Sequence, residues 1–187
     1  MPQVHLESLQ LETPRLILRP TRMEDFEPWA AWMADSEAML HLGGAVPRSI
    51  AWRSFMTMGG AWHLAGFAMF SLIEKATGNW VGRVGPWQPE GWPGTEVGWG
   101  VVRSCWGKGY APEAASAAID WAFATLGWTE VIHTIEVTNV ASQTVARKLG
   151  SINRGPCQLP APHDKLAIEA WGQTREEWRE RRRSQAL

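Results

Sequence analysis

Residues 106–111, Trp-Gly-Lys-Gly-Tyr-Ala, combine side-chain types and a spacing that suit the binding of an anion. They follow an apolar run at residues 97–102 and open an alanine-rich segment, which together predict a strand, a glycine loop and a helix. Two glycines separated by one residue let the backbone turn tightly, and the helix N-terminus directs a partial positive charge at the same place. The loop is therefore expected to hold phosphate oxygens.

The loop differs from two common nucleotide-binding motifs. A Walker loop has two glycines five residues apart followed by Lys and Ser or Thr, and a dinucleotide-binding loop reads G-x-G-x-x-G with an acidic residue about 20 positions later. Neither pattern is present. Because Gly107-Lys108-Gly109 is a weak motif by itself, its interpretation depends on the elements around it.

The other elements predict a mixed sheet with helices. Strands are expected at residues 16–19, 66–73, 80–84, 96–102, 131–137 and 166–171. Helices are expected after a capping box at Thr21 and Glu24, at residues 50–58 with a stop at Gly59-Gly60, after the loop, at residues 139–149, and after a second capping box at Thr174 and Glu177. A turn at residues 74–79 predicts a hairpin. Strands and helices that mix without regular alternation favour an α/β or α+β class with a mixed sheet.

Composition excludes several classes of protein. A chain of 187 residues with 45% hydrophobic content fits one domain with a full-sized core. A net charge of -1 argues against nucleic acid as a partner, and no apolar run approaches the roughly 20 residues that cross a membrane. The first residues lack a secretory signal, and the two cysteines form neither a disulfide framework nor a metal site. These features favour a cytoplasmic protein.

Several further motifs stand in a fixed order around the loop. They are Glu-Val-Gly-Trp-Gly at residues 96–100, Pro-Glu-Ala at 112–114, Asn-Val-Ala-Ser at 139–142 and Lys-Leu-Gly at 148–150. Together with the loop they resemble the motifs of the GNAT superfamily of acyl-CoA-dependent N-acetyltransferases. Residues 11–19 and 174–178 are similar to the branch that contains ribosomal-protein N-terminal acetyltransferases. Ser104 and Ser151 depart from the family pattern, which often has Gln or Arg at the first position and Phe at the second.

The resemblance implies a domain over residues 13–178, with 1–12 and 179–187 as terminal extensions. It implies a single-domain GNAT-like fold, with a mixed twisted sheet of about seven strands, a splayed strand pair and a glycine loop before the central helix. A homodimer is an expectation at the level of the family.

The resemblance also implies acetyl-CoA as the acyl donor, with no metal. The loop N–H groups would hold the pyrophosphate, and the backbone around Gly98 and Trp99 would pair with the pantetheine arm and polarise the thioester carbonyl. Lys108 would add a charge near the phosphates, although a solvated lysine is an equally good interpretation. The implied cofactor-binding residues are Gly98, Trp99, Gly100, Val101, Trp106, Gly107, Lys108, Gly109, Tyr110, Ala111, Asn139 and Ser142.

Acetyl transfer requires a neutral acceptor amine. At pH 7 deprotonation costs about 4.6 kcal/mol for a lysine of pKa near 10.4 but only about 1 kcal/mol for an α-amine of pKa near 7.7, so an N-terminal acceptor does not need a strong base. Glu96 is the candidate general base, acting directly or through water, with a plain surface carboxylate as the alternative. Glu113 and Asp120, on the helix after the loop, are expected to be solvated.

The departing thiolate would benefit from a hydrogen-bond donor. Many relatives use a tyrosine at the position where this chain has Ala146, and the one tyrosine, Tyr110, lies in the loop. Ser142 resembles a serine that some ribosomal-protein acetyltransferases place near the sulfur, so it is the second catalytic candidate. Helix capping is the alternative role for Ser142 and for Asn139. His133 is interpreted as a structural residue of its strand.

The sequence thus predicts an enzyme that transfers an acetyl group from acetyl-CoA to a primary amine, such as a protein N-terminus, by direct attack in a ternary complex. Acetylation of a small amine, such as a polyamine, amino acid or antibiotic, is the alternative reaction. A catalytically silent CoA sensor and a tryptophan-rich interaction domain are the alternatives from other classes. The acceptor is not identified by the sequence, because loops and early helices would build its pocket.

Overall fold

The computed structural model describes Leu6 and residues 8–185. Eight strands form one sheet in the order β1-β2-β3-β4-β5-β6-β8-β7. They are β1 (Leu11–Glu12), β2 (Leu16–Arg19), β3 (Phe70–Glu74), β4 (Trp80–Trp87), β5 (Glu96–Val101), β6 (Glu130–Glu136), β7 (Ile152–Cys157) and β8 (Ile168–Thr174). The α-helices are α1 (Phe26–Met33), α2 (Arg48–Leu64), α3 (Tyr110–Trp121), α4 (Val140–Leu149) and α5 (Arg175–Gln185).

The sheet confirms the predicted mixed class. Every neighbouring pair of strands runs antiparallel except β5 and β6, which are parallel. The described residues hold eight strands where about seven were expected. β1 has only two residues, and β7 contains Gly155 and Pro156 at a register shift, so neither shows the alternation that identifies a strand in sequence.

Two predicted helix boundaries were wrong. The helix predicted to stop at Gly59-Gly60 continues through both glycines to Leu64. Packing explains this, because Met58 and Trp62 are buried on either side of the glycine pair and hold the helix despite its weak local preference. At α1 the predicted capping box of Thr21 is absent: Asp25 accepts the N–H of Arg22, and the buried hydroxyl of Thr21 has no partner in the described residues.

The second capping box was predicted correctly. The Thr174 hydroxyl accepts the N–H of Glu177 at 3.2 Å, and the Glu177 carboxylate accepts the N–H of Thr174 at 2.7 Å. This pair starts α5 directly after β8. The helix continues past residue 178, and β1 lies before residue 13, so regular structure extends into both segments expected to be terminal extensions.

Helices cover both faces of the central strands, since β4 and β5 are buried along most of their length. Helix α3 packs closely against these strands because Ala114, Ala115 and Ala118 present a flat surface that is fully buried. Helix α1 contributes Trp29 and Trp32, whose rings lie within 6 Å of the Trp80 ring on β4. We call Trp29, Trp32 and Trp80 the indole cluster.

Helices of the described chain are either too short or too polar to cross a membrane. A search of the same residues for groups of three or more His, Cys, Asp or Glu side chains that could hold a metal ion finds none.

Candidate active site

Strands β5 and β6 diverge to form a wedge. Their register has one pair, Glu96 with Ile132, whereas β4 pairs with β5 from Glu96 to Val101. Beyond that point β5 loses its neighbour on the β6 side. The splayed pair expected from the sequence is therefore present, and its apex lies at Glu96.

Two side chains replace backbone hydrogen bonds at the apex. The Thr134 N–H donates to the Glu96 carboxylate at 3.0 Å, and His133 Nδ1 donates to the Val97 carbonyl at 2.7 Å. These bonds satisfy peptide groups that would pair with each other in a regular parallel ladder. The wedge is thus held open by the side chains of Glu96 and His133.

His133 belongs to a buried polar network. Because its Nδ1 donates, its Nε2 accepts from the Ser151 hydroxyl at 2.9 Å, and Gln173 also donates to Ser151 at 2.8 Å. Burial lowers the pKa of His133 to about 4, so the imidazole is neutral near pH 7. Ser151 therefore supplies a partner that the family's usual Phe could not, and the network supports a structural role for His133.

A cavity of about 710 Å³ lies along the open side of the wedge. Most of the predicted cofactor-binding residues line it: Trp99, Gly100, Val101, Trp106, Gly107, Gly109, Tyr110, Ala111, Asn139 and Ser142. Gly98, Lys108 and Glu96 are outside this lining. The structure thus brings the three separate motifs, β5, the glycine loop and the start of α4, around one space.

The glycine loop borders this cavity and carries unpaired N–H groups. Gly107 and Gly109 have φ of +74° and +81°, the left-handed region that favours glycine. Among the described residues, the N–H groups of Gly107, Gly109, Tyr110 and Ala111 have no acceptor, and no side chain caps α3. Unpaired N–H groups at a helix N-terminus fit the oxygens of a pyrophosphate.

A clamp from the N-terminal segment holds this loop. Arg15 donates to the Lys108 carbonyl at 2.8 Å and pairs with Glu113 at 2.6 Å, and the Thr13 hydroxyl donates to Glu113 at 2.6 Å. The Arg15 guanidinium also lies 4.7 Å from the Tyr110 ring centroid. Glu113 was expected to be solvated, but only 16% of its side chain is exposed because it anchors this clamp.

Lys108 points away from the wedge cavity. Its Nζ lies 3.7 Å from Cys105 Sγ, and its side chain borders a second cavity of about 1020 Å³ beside α1. Asp120 was also expected to be solvated, and 44% of its side chain is exposed. Its carboxylate accepts a hydrogen bond from the Trp178 indole and forms an ion pair with Arg182.

Strand β5 directs alternate peptide groups into the wedge. The N–H of Val102 donates to the Val81 carbonyl of β4. In an antiparallel pair every second residue is hydrogen-bonded to the partner strand, so Gly100 and Gly98 also pair with β4. The peptide groups of Val97, Trp99 and Val101 therefore face away from β4. The Trp99 N–H and carbonyl are therefore placed to pair with an extended ligand arm that enters between β5 and α4.

Ser142 and Trp99 meet across the wedge. The Trp99 indole N–H donates to the Ser142 hydroxyl at 3.2 Å, and the Trp99 ring packs against His133 at 4.7 Å between centroids. Asn139 is the helix cap, since its side chain accepts the Ser142 N–H at 3.0 Å. The Ser142 hydroxyl accepts from Trp99, so its own proton remains available for a ligand in the cavity.

Glu96 is buried at the apex, with 6% of its surface exposed. Its carboxylate accepts hydrogen bonds from the Thr134 hydroxyl at 3.0 Å and the Trp92 indole at 2.5 Å. Burial raises the pKa of Glu96 to about 7, because the loss of water outweighs these hydrogen bonds and the charge of Arg83. A carboxyl group with this pKa exchanges a proton readily near neutral pH.

The sequence did not indicate that residues 40–42, after α1, line the wedge cavity. His41, Leu40 and Leu42 line the cavity, and His41 Nδ1 lies 2.9 Å from the carboxylate of Glu136 at the end of β6. The segment therefore bridges from α1 to the far strand of the wedge. No motif marks it, because its contribution depends on where the chain crosses the sheet.

Known proteins are similar to this chain in sequence and in fold. A family model described as "Acetyltransferase (GNAT) domain" matches residues 15–152. YkkB of Bacillus subtilis is 36% identical over 87 residues, which are 46% of this chain and 51% of YkkB, so the match spans about half of that relative. The N-acetyltransferase p20 of Bacillus licheniformis is 28% identical over 148 residues, which are 78% of this chain and 83% of p20.

Solved structures extend the similarity to nearly the whole chain. An acetyltransferase from Agrobacterium tumefaciens is 27% identical, with a TM-score of 0.79 over 94% of this chain and 99% of that one. A ribosomal-protein-S5-alanine acetyltransferase from Vibrio fischeri shares the fold at 17% identity, with a TM-score of 0.66 over 91% of this chain and 99% of that one. The wedge, the glycine loop and the family match together show that the chain belongs to the GNAT acetyltransferase family, whose members use acetyl-CoA as a substrate.

Proposed function

We propose that the chain transfers the acetyl group of acetyl-CoA to the α-amine of an acceptor, such as a protein N-terminus, in a ternary complex. The unpaired N–H groups of the glycine loop would bind the pyrophosphate. The pantetheine arm would lie in the wedge along Trp99, with the thioester near Ser142. The observation that carries the proposal is the cavity that joins these two groups of residues.

The bonds that change are few. The neutral amine attacks the thioester carbonyl carbon, a C–N bond forms, and the tetrahedral oxyanion accepts a hydrogen bond from the β5 backbone. The C–S bond then breaks, the Ser142 hydroxyl donates a hydrogen bond to the departing thiolate, and the thiolate takes a proton from water. Glu96, directly or through water, takes the proton that the nitrogen loses. Acetylated amine and CoA are the products.

Glu96 supports an α-amine as acceptor. With a pKa of about 7, this carboxylate is well matched to an α-amine of pKa near 7.7 and poorly matched to a lysine near 10.4. The Vibrio fischeri structure bears the name of a ribosomal-protein-S5-alanine acetyltransferase, which supports a protein as one source of this amine.

Melting temperatures in the presence of acetyl-CoA, CoA and ATP test the donor site. A ligand at 100 times its Kd adds about 2.7 kcal/mol, and each kcal/mol raises Tm by roughly 2 to 4 °C for a domain of this size. Acetyl-CoA and CoA should raise Tm, whereas ATP, the anionic control, should not. Release of CoA thiol with α-amine acceptors would then support transfer. A Tm that neither CoA species changes would contradict the proposal.

A further inference from the structure

Arg83 on β4 has an unpaired guanidinium. It is partly buried and lies 5.1 Å from the Trp29 ring centroid and 5.4 Å from that of Trp32. No hydrogen bond or ion pair joins it to any other residue in the described part of the chain. Burial lowers the pKa of Arg83 to about 10, which records the loss of water around this charge. Guanidinium groups that have lost part of their water normally have a carboxylate or carbonyl partner.

Trp32 supplies a second unpaired donor at the same place. Its side chain is 3% exposed, and its Nε1–H has no hydrogen-bond partner in residues 8–185. Most buried polar atoms in proteins have a partner, so a buried indole N–H without one, next to a guanidinium without one, indicates a missing acceptor. Trp32 also borders the 1020 Å³ cavity beside α1, so the buried indole lies next to space that a ligand can enter.

These donors lie on the face of the sheet that also carries Glu96. Arg83 is the cross-strand partner of Gly100, and a Cβ on Gly100 would meet the Trp32 ring at 2.5 Å. Because side chains alternate along a strand, Gly100, Gly98 and Glu96 share this face. The charge of Glu96 also stabilises the charged form of Arg83. On this face the Glu96 carboxylate and the Arg83 guanidinium thus lie on either side of Gly98 and Gly100, which have no side chains.

We propose that Arg83 and Trp32 bind an anionic group, a carboxylate, carried by the same acceptor molecule whose amine is acetylated. This inference rests on the proposed function, since it names the class of acceptor for that site. A guanidinium presents a fork of donors that fits a carboxylate, and the neighbouring indole N–H adds a further donor. Free amino acids and peptides with an acidic side chain near the N-terminus both carry this chemistry.

The test compares matched acceptors by CoA thiol release. One arm uses amino acids and their carboxamides, and the other uses peptides with Asp or Glu near the N-terminus and their Asn or Gln counterparts. The wild type should prefer the carboxylate form at least tenfold in kcat/KM in one arm, which identifies the source. R83M should reduce this preference to below twofold, mainly through KM, and W32F should reduce it in part. R48M is the matched control, because Arg48 also lies over an aromatic ring but is paired with Glu27 on the surface.

Melting supplies a readout without turnover. With CoA present, N-acetylated amino acids or acidic peptides should raise the Tm of the wild type but not of R83M. R83M should itself melt above the wild type, because an unpaired charge has been removed, and acetyl-CoA should still stabilise it. Equal use of carboxylates and amides by the wild type, or a preference that persists in R83M, would overturn the inference while leaving acetyl transfer intact. Loss of the acetyl-CoA effect in the wild type would instead refute the proposed function.

Discussion

Glu96 has a structural role and a proposed chemical role that depend on the same burial. Its carboxylate accepts the Thr134 N–H that a regular ladder would give to β5, and this holds the two strands apart at the apex of the wedge, where the side chain is buried. The removal of water raises the pKa of Glu96 to about 7. A group that must be ionised to accept a proton therefore becomes active only as the pH passes through this value.

E96Q should lower kcat about 100-fold, the usual scale for a lost general base. In the wild type kcat should rise with pH through about 7, because the carboxylate accepts protons only above its pKa; E96Q should lose this rise. A pH–rate profile measures both effects. E169Q is the control, since Glu169 on β8 also accepts a hydrogen bond from an indole N–H, that of Trp171 on the same strand. A rise near pH 7 that survives in E96Q would exclude Glu96 as the base.

Residues that belong to a recognisable motif can be assigned a role from the sequence, whereas residues whose role depends on their neighbours in the fold cannot. Trp99, Gly107 and Ser142 stand in recognisable motifs, and the structure brings them around one cavity. Arg83 and Trp32 belong to no motif. Their proposed function arises because each lacks a partner, and a missing hydrogen bond becomes visible only when every neighbouring atom has a position.

The glycine loop depends on an element far away in sequence. The two loop glycines adopt left-handed conformations, and Arg15 holds the Lys108 carbonyl between them. The same side chain pairs with Glu113 in the first turn of α3. The loop and the helix N-terminus are thereby fixed relative to each other, so their free N–H groups can converge on one ligand.

R15M should raise the KM for acetyl-CoA about tenfold, which corresponds to about 1.4 kcal/mol, with kcat within twofold of the wild type. The reason is that the loop N–H groups would lose their fixed direction while the acetyl end of the wedge stays intact. Steady-state kinetics well below Tm measure this change. R154M, which removes a surface ion pair with Glu177, should leave KM unchanged. A lower Tm for R15M with an unaltered KM would show that the clamp serves stability alone.

Elements were predictable where local chemistry and packing agree. Helix α4 begins at the Asn139 cap and ends at Gly150, which has φ of +87°, as its sequence indicates. Helix α2 shows the opposite case, because buried Met58 and Trp62 override Gly59 and Gly60. Tertiary contacts of this kind are not encoded in any short window of sequence.

At the scale of the whole molecule, two buried groups give opposing dependences of stability on pH. Glu96 has a raised pKa, so its contribution to the free energy of unfolding is present below pH 4.5 and is lost as pH rises through about 7. His133 has a lowered pKa, so its contribution is present above pH 6.5 and is lost as pH falls through about 4. Each group changes the free energy of unfolding by about 3 kcal/mol, because each unit of pKa shift corresponds to 1.36 kcal/mol.

Single substitutions should separate the two effects. Between pH 4.5 and 6.5 the decrease due to Glu96 and the increase due to His133 cancel in the wild type. As pH rises through this range, E96Q should become more stable relative to the wild type. H133N should become less stable relative to the wild type. Urea unfolding at several pH values measures the free energy of unfolding of each variant. The contributions of the other carboxylates cancel when the value for the wild type is subtracted. Parallel curves for all three proteins would contradict the pKa directions given for both groups.

The indole cluster gives this protein a built-in optical reporter. Trp29, Trp32 and Trp80 join α1 to β4 with their ring centroids within 6 Å, and two of the three ring pairs are arranged edge to face. Transition dipoles at such distances couple, so the three indoles absorb and rotate polarised light as a unit rather than as separate chromophores. The coupling of Trp80 to the two indoles of α1 is lost when α1 leaves the sheet. Docking of α1 beside Arg83 can therefore be followed by circular dichroism without an attached label.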